Sequence, residues 1–159
     1  MRVAVGADHR GVELKRRIRH ALVAAGHDCT DLGVHSGEPA DYPDVARQAA
    51  AGVAAGTFDR GILVCGSGVG MSIAANKVRG ARAALVHTAE GARLCREHND
   101  ANVLALAGLA LAPDDAAAVV AAFLDTAFAG GRHRRRVDKI IAMEREAARG
   151  EPAAAPSPA

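Results

Sequence analysis

Gly61-Ile62-Leu63-Val64-Cys65-Gly66-Ser67-Gly68-Val69-Gly70-Met71-Ser72 is the stretch whose reading decides the fold. Gly61 to Cys65 is a short apolar run closed by glycines, the pattern of a strand buried on both faces. Glycines then recur at alternate positions, and a helix follows from about Val69 to Lys77. A buried strand that passes through glycines into a helix is a building unit of parallel α/β sheets.

The same alternation extends in both directions. Upstream, Val3-Ala4-Val5 reads as a strand ending at Gly6. Residues 10–25 read as a helix, with Val12, Leu14, Ile18, Leu22 and Val23 near helical spacing and Gly26 as its stop. A second strand spans His27 to Leu32, and a helix runs from about Pro43 to Ala55. Downstream come a strand from Ala81 to Val86, a helix over 89–98 and a strand from Asn102 to Leu106. Helices at about 114–128 and from about Arg132 to Arg149 complete the pattern, the last after the Gly130-Gly131 break. The expected fold class is therefore α/β: a single doubly wound, Rossmann-like (flavodoxin-like) domain over residues 1–149, with a five-stranded parallel sheet and a C-terminal helix. The flavodoxin-like strand order 2-1-3-4-5 is the expectation. Residues 150–159, Gly-Glu-Pro-Ala-Ala-Ala-Pro-Ser-Pro-Ala, read as a disordered Pro/Ala-rich tail.

Composition narrows the function classes. The chain has 159 residues, enough for one domain, and half are hydrophobic, too many for a largely disordered chain. No apolar run approaches the roughly 18 residues of a membrane span. Met1-Arg2-Val3-Ala4-Val5-Gly6 has a strand pattern rather than a signal-peptide layout. Aromatic residues make up only 3% of the chain, which argues against stacking platforms for single-stranded nucleic acid. Cys29, Cys65 and Cys95 are far apart and odd in number, so neither a disulfide framework nor a zinc cluster is expected. That cysteine usage fits a cytoplasmic protein. The net charge of +2 hides an asymmetry, because residues 131–149 hold seven Lys/Arg against three Asp/Glu.

Ligands of such sheets bind beyond the carboxyl ends of the strands. The glycine turn after Cys65 lets backbone N–H groups face a ligand and opens a helix N-terminus, both of which favour an anion or a thiolate. It is neither a P-loop nor a cysteine-phosphatase loop, since Met71 stands where the Lys or the Arg would be needed. The spacing of Gly66, Gly68 and Gly70 also misses the dinucleotide fingerprint. A tight strand-to-helix turn without a ligand is the plain alternative. Asp8-His9 follows the first strand, where Asp8 suits a helix cap. Glu97-His98-Asn99-Asp100 precedes the fifth strand, where His98 suits a surface loop. Both segments are expected at the ligand edge, where a carboxylate, two imidazoles and a thiol together suit acid–base work. Arg132 and Arg136, four apart on one helix face, suit a phosphate fork or a solvated basic surface.

The residues in order resemble the type B ribose-5-phosphate isomerases, a sugar-phosphate isomerase family that includes galactose-6-phosphate isomerase. The resemblance is carried by Gly6-Ala7-Asp8-His9, Asp41-Tyr42-Pro43, Cys65-Gly66-Ser67-Gly68-Val69-Gly70, Ser72-Ile73-Ala74-Ala75-Asn76-Lys77, Arg96-Glu97-His98-Asn99 and Gly131-Arg132-His133, within residues 1–148. It implies reversible conversion of ribose 5-phosphate to ribulose 5-phosphate with no metal or cofactor. It implies that Cys65 moves a proton between C2 and C1, that His98 opens the sugar ring with help from Asp8, and that Ser67 shuttles a proton between O1 and O2. Backbone N–H groups around Gly66, Gly68 and Gly70 would hold the enediolate. His9, Arg132 and Arg136 match phosphate-binding positions, and Asn99 and Tyr42 line the site. It further implies a homodimer with sites made from both chains, and leaves the pairing of dimers into tetramers open. No nucleic acid or membrane partner is expected.

Two departures bear on the substrate. Some members use a glutamate just after the glycine loop, where Met71 stands, so Cys65 is the one evident base. An arginine usual after the fifth strand is replaced by Leu109. Another aldose, such as a six-carbon phosphate like allose 6-phosphate or a free sugar, is therefore an alternative substrate. A non-catalytic anion-binding module is the alternative from another class, though it leaves His98 and Asp8 without a role.

Overall fold

The computed structural model describes residues 1–149. The expected tail at 150–159 lies outside them. The elements follow in the order β1 (Arg2–Ala7), α1 (Val12–Ala24), β2 (Asp28–Gly33), α2 (Tyr42–Ala54), β3 (Arg60–Cys65), α3 (Val69–Ala75), β4 (Ala83–Leu85), α4 (Ala89–Asn99), β5 (Val103–Ala107), α5 (Pro113–Asp125) and α6 (Gly131–Ala148). All strand pairs are parallel. Alternation along the strands separates two cores. Val3, Val5, Ile62, Val64, Leu104 and Leu106 face α1, α4 and α5. Ala4, Leu63, Cys65, Val103 and Ala105 face α2 and α3. Both faces are covered, which is why the central strands read as unbroken apolar runs.

The strand order is β2-β1-β3-β5-β4, so the last two strands are exchanged relative to the expected 2-1-3-4-5. Burial explains the exchange. Every residue of β5 is buried, as an interior strand requires, whereas the three residues of β4 are only half-buried. The short, small-residue strand therefore takes the edge, where a strand is covered on one side only.

The order in which strands are added reverses at β1: β2 pairs on one side of β1 and β3 on the other. The carboxyl ends of β1 and β3 thus flank the switch point where such sheets open a crevice. A buried lysine steadies this end of the sheet. Lys15 is 2% exposed, and its Nζ donates to the carbonyls of Leu32 and Val34 at 3.0 and 2.6 Å. It also pairs with Asp31 at 2.6 Å. This ties α1 to the end of β2 and to the loop that leads into α2. Replacing Lys15 by Met keeps the stem but removes the charge and all three contacts. The expected loss is about 2 kcal/mol or more of unfolding free energy in urea titrations. A loss below about 0.5 kcal/mol, the range of an ordinary surface change, would contradict this role.

Candidate active site

Beyond the end of β3 the chain turns through Gly66, Ser67 and Gly68 into α3. Gly68 has φ of +75°, and a Cβ there would lie 2.5 Å from Leu85 Cδ1 and 2.9 Å from the carbonyl carbon of Leu106. Only glycine fits this bend. The bend turns the Gly68 N–H back onto the preceding strand, where it donates to Cys65 Sγ at 3.1 Å. Cys65 is buried, 4% exposed. A donor aimed at sulfur is worth more when the sulfur carries negative charge. The N–H groups of Gly66 and Ser67 donate to no group among the described residues, which leaves them for a ligand. Ser67 is exposed, and its Oγ accepts the Val69 N–H at 3.4 Å.

These residues line an open cleft of about 680 Å³, together with Asp8, Arg10, Tyr42, Gly70 and Leu109. Asp8 is 5% exposed and does not cap α1, whose N-cap is Gly11 without a side-chain hydrogen bond; it closes the turn ahead of the helix, where Oδ1 accepts the N–H groups of Arg10 at 2.9 Å and Gly11 at 3.1 Å. Oδ2 makes no hydrogen bond among the described residues and is available in the cleft. Tyr42 opens α2 and lays its ring over Gly70, where a Cβ would stand 2.6 Å from the ring. The missing side chain at Gly70 is thus filled by the tyrosine wall. His9 is half-buried beside the loop ahead of α2, its Nδ1 accepting the Ala40 N–H at 3.5 Å.

The second expected cluster is not at this edge. A helix joining two parallel strands must run antiparallel to them, so α4 ends level with the start of β5, not its end. His98 and Asn99 lie in the last turn of α4, and Val103, just beyond, pairs with Gly61 at the beginning of β3. The four-residue rise from Gly61 to Cys65, at about 3.3 Å each, puts roughly 13 Å of sheet between the edges. Proton transfer requires approach to about 3 Å. One chain therefore does not bring His98 to Cys65, contrary to the expectation that both segments share the ligand edge.

At that far edge His98 has its own company. The Ala129 N–H donates to the Glu97 carbonyl at 3.1 Å, bringing the start of α6 against the end of α4. His133 stacks on His98 with ring centroids 4.2 Å apart and planes 7° apart. Arg132 Nε donates to His133 Nε2 at 3.4 Å, and the buried His133 Nδ1 has no hydrogen-bond partner among the described residues. Arg132 and Arg136 are exposed one turn apart. Asp8, Tyr42, Cys65, Ser67 and the glycines thus form one half of the expected constellation; His98, Asn99, Arg132 and Arg136 form the other. The sequence reading gave no role to Arg10 or His133. The signal for Arg10 was its place directly after β1 at the ligand edge. The signal for His133 was its place one residue beyond Arg132. Among the described residues no group of three His, Cys, Asp or Glu side chains is placed to hold a metal ion. No helix among them is long and apolar enough to cross a membrane.

Burial, then the neighbouring His98, Arg132 and Arg136, lower the pKa of His133, with Glu97 opposing. The unfolded imidazole takes up its proton near pH 6.5, and the folded one only at lower pH. Unfolding therefore binds a proton in that window, and stability falls as pH drops below about 6.5. The Tm advantage of wild type over His133→Gln should shrink between pH 7 and pH 5, measured by thermal melts. Parallel Tm–pH curves would contradict a neutral, buried His133.

The chain matches the family model described as Ribose/Galactose Isomerase over residues 3–140. It is 46% identical to ribose-5-phosphate isomerase B of Escherichia coli (strain K12) over 143 residues, which cover 90% of this chain and 96% of that protein. The structure of Clostridium thermocellum ribose-5-phosphate isomerase B is similar at a TM-score of 0.91 and 46% identity, covering 92% of this chain and 99% of that one. The structure of the Mycoplasma genitalium ribose-5-phosphate isomerase B with bound ribulose-5-phosphate is similar at a TM-score of 0.88 and 41% identity, covering 91% and 97%. With matches of this extent across nearly the whole described chain, the protein belongs to the ribose/galactose isomerase family.

Proposed function

We propose that the protein interconverts ribose 5-phosphate and ribulose 5-phosphate through an enediolate, at sites assembled from two copies of the chain. The observation that carries this reading is Cys65 Sγ, held by the Gly68 N–H in a cleft that Asp8 also lines. The similarity to enzymes named for this substrate supports the choice of sugar.

The sugar enters as a ring. His98 of a second copy protonates the ring oxygen while Asp8 Oδ2 draws the proton from the O1 hydroxyl, and the ring opens to the aldehyde. The Cys65 thiolate then takes the proton from C2. The C–H electron pair forms the C1–C2 double bond, and the carbonyl electrons move to O1. The free N–H groups of Gly66 and Ser67 stabilise this charge as it develops, with Gly70, in the first turn of α3, lining the same cleft. Such donors accelerate the step because they bind the enediolate more strongly than the aldehyde. Ser67 passes the O2 proton to O1. The Cys65 thiol returns its proton to C1 as O2 becomes the ketone, so no atom or electron is gained or lost. Asn99, Arg132 and Arg136 of the second copy close the site over the sugar and its phosphate, with His9 at the margin. Binding energy at the phosphate positions C2 against the sulfur.

Cys65→Ala should lower kcat by about three orders of magnitude or more in a coupled ribose 5-phosphate assay, with Tm and oligomeric state unchanged, because it removes the group that takes the C2 proton. Activity within a few-fold of wild type would remove Cys65 from the role of base. Comparing kcat/KM for ribose 5-phosphate, allose 6-phosphate and unphosphorylated sugars tests the substrate. Ribose 5-phosphate should lead by orders of magnitude, and a lead by another sugar would reassign the substrate while keeping the chemistry.

A further inference from the structure

Arg10 directly follows Asp8 and His9 after β1, and its backbone N–H is fixed to Asp8 Oδ1 at 2.9 Å. Its side chain is exposed and lines the same cleft as Cys65, Gly66 and Leu109. The stem lies across Gly66: Arg10 Cδ is 3.1 Å, and Leu109 Cδ1 3.4 Å, from the point a Cβ on Gly66 would occupy. Gly66 leaves room for an arginine stem packed beside an aliphatic neighbour. The guanidinium makes no ion pair, hydrogen bond or ring contact with any described residue. Nearby arginines behave differently: Arg16 and Arg17 pair with Glu13, and Arg19 with Asp31.

Arg10 is the one Lys or Arg lining the cleft, and Asp8 is the one carboxylate there. Asp8 already spends Oδ1 on two backbone donors. The unpaired N–H groups of Gly66 and Ser67 also face the cleft and present partial positive charge to it. The field at this edge therefore suits an anion. Arg132 and Arg136 lie at the opposite sheet edge of the same chain, so Arg10 is the cation that each copy contributes beside its own cysteine.

We propose that Arg10 recognises the phosphate group of the open-chain aldose phosphate in the cleft of its own chain and sets the preference for phosphorylated over free sugars. The proposal rests on the isomerase reading above. A planar guanidinium takes two phosphate oxygens at once, and its stem, held over Gly66, loses little freedom in doing so.

The test uses the purified full-length chain and its Arg10→Ala, Arg10→Gln and Arg10→Lys variants. Arg10→Ala and Arg10→Gln should raise KM for ribose 5-phosphate about tenfold or more while kcat stays within about threefold. Competitive inhibition by inorganic phosphate should weaken in parallel, and Arg10→Lys should recover part of both. Melting temperatures close to wild type would exclude a folding defect, since the side chain is exposed. Unchanged KM and unchanged phosphate inhibition in both neutral variants would overturn the proposal, as would a fall in kcat with both constants unchanged. If the wild type isomerises no aldose phosphate, the isomerase reading fails. Calorimetric titration of inorganic phosphate into wild type and Arg10→Ala then still decides on Arg10: weaker binding by the variant supports it, and equal binding overturns it.

Discussion

A helix that joins two neighbouring parallel strands must run back against them. That constraint sends the beginnings of α1 and α3 to one edge of the sheet and the end of α4 to the other. Helix starts expose N–H groups and partial positive charge, so the carboxyl edge of the sheet suits an anion. Helix ends carry the opposite polarity; His98 lies in the last turn of α4, and Arg132 and Arg136 stand near it at the start of α6. The two sets of groups are complementary in chemistry and separated in space within one chain. A second copy is the simplest way to unite them, because a homo-oligomer can set one edge against the other.

The cysteine edge is built with little material. Gly68 bends the backbone so that its N–H meets sulfur, and Gly70 leaves the space that the Tyr42 ring fills. Gly66 leaves the space over which the Arg10 stem lies. Each glycine in the turn therefore admits a particular neighbour or hydrogen bond. The buried Lys15, one turn into α1, fixes the end of β2 and the loop ahead of α2, and so the approach of Tyr42.

Much of this was legible in the sequence because it is local. The strand from Gly61 to Cys65, the glycine turn and the helix after it follow from residues in direct succession, whereas Asp8 closes the turn ahead of α1 rather than capping the helix. The order of β4 and β5 depends on which strand is covered on both sides, a tertiary property. The full burial of Val103-Leu104-Ala105-Leu106-Ala107 against the half-burial of Ala83-Ala84-Leu85 is its physical signature. The position of His98 is tertiary for a related reason: its place just ahead of the fifth strand suggests the ligand edge, whereas the direction of α4 carries it to the other. The stack of His98 on His133 joins residues 35 positions apart and has no local pattern. Arg10 stood beside the recognised Asp8-His9 pair, but its importance appears only when its stem is found over Gly66.

In the proposed reaction one working site needs Cys65 from one chain and His98 from another. Mixing Cys65→Ala and His98→Ala chains under conditions of subunit exchange tests it directly. Each variant alone should be nearly inactive. Random pairing places one intact site in half of the dimers, so the mixture should recover about a quarter of wild-type activity. No recovery, with hybrid dimers demonstrated to form, would contradict the account and return the whole site to a single chain.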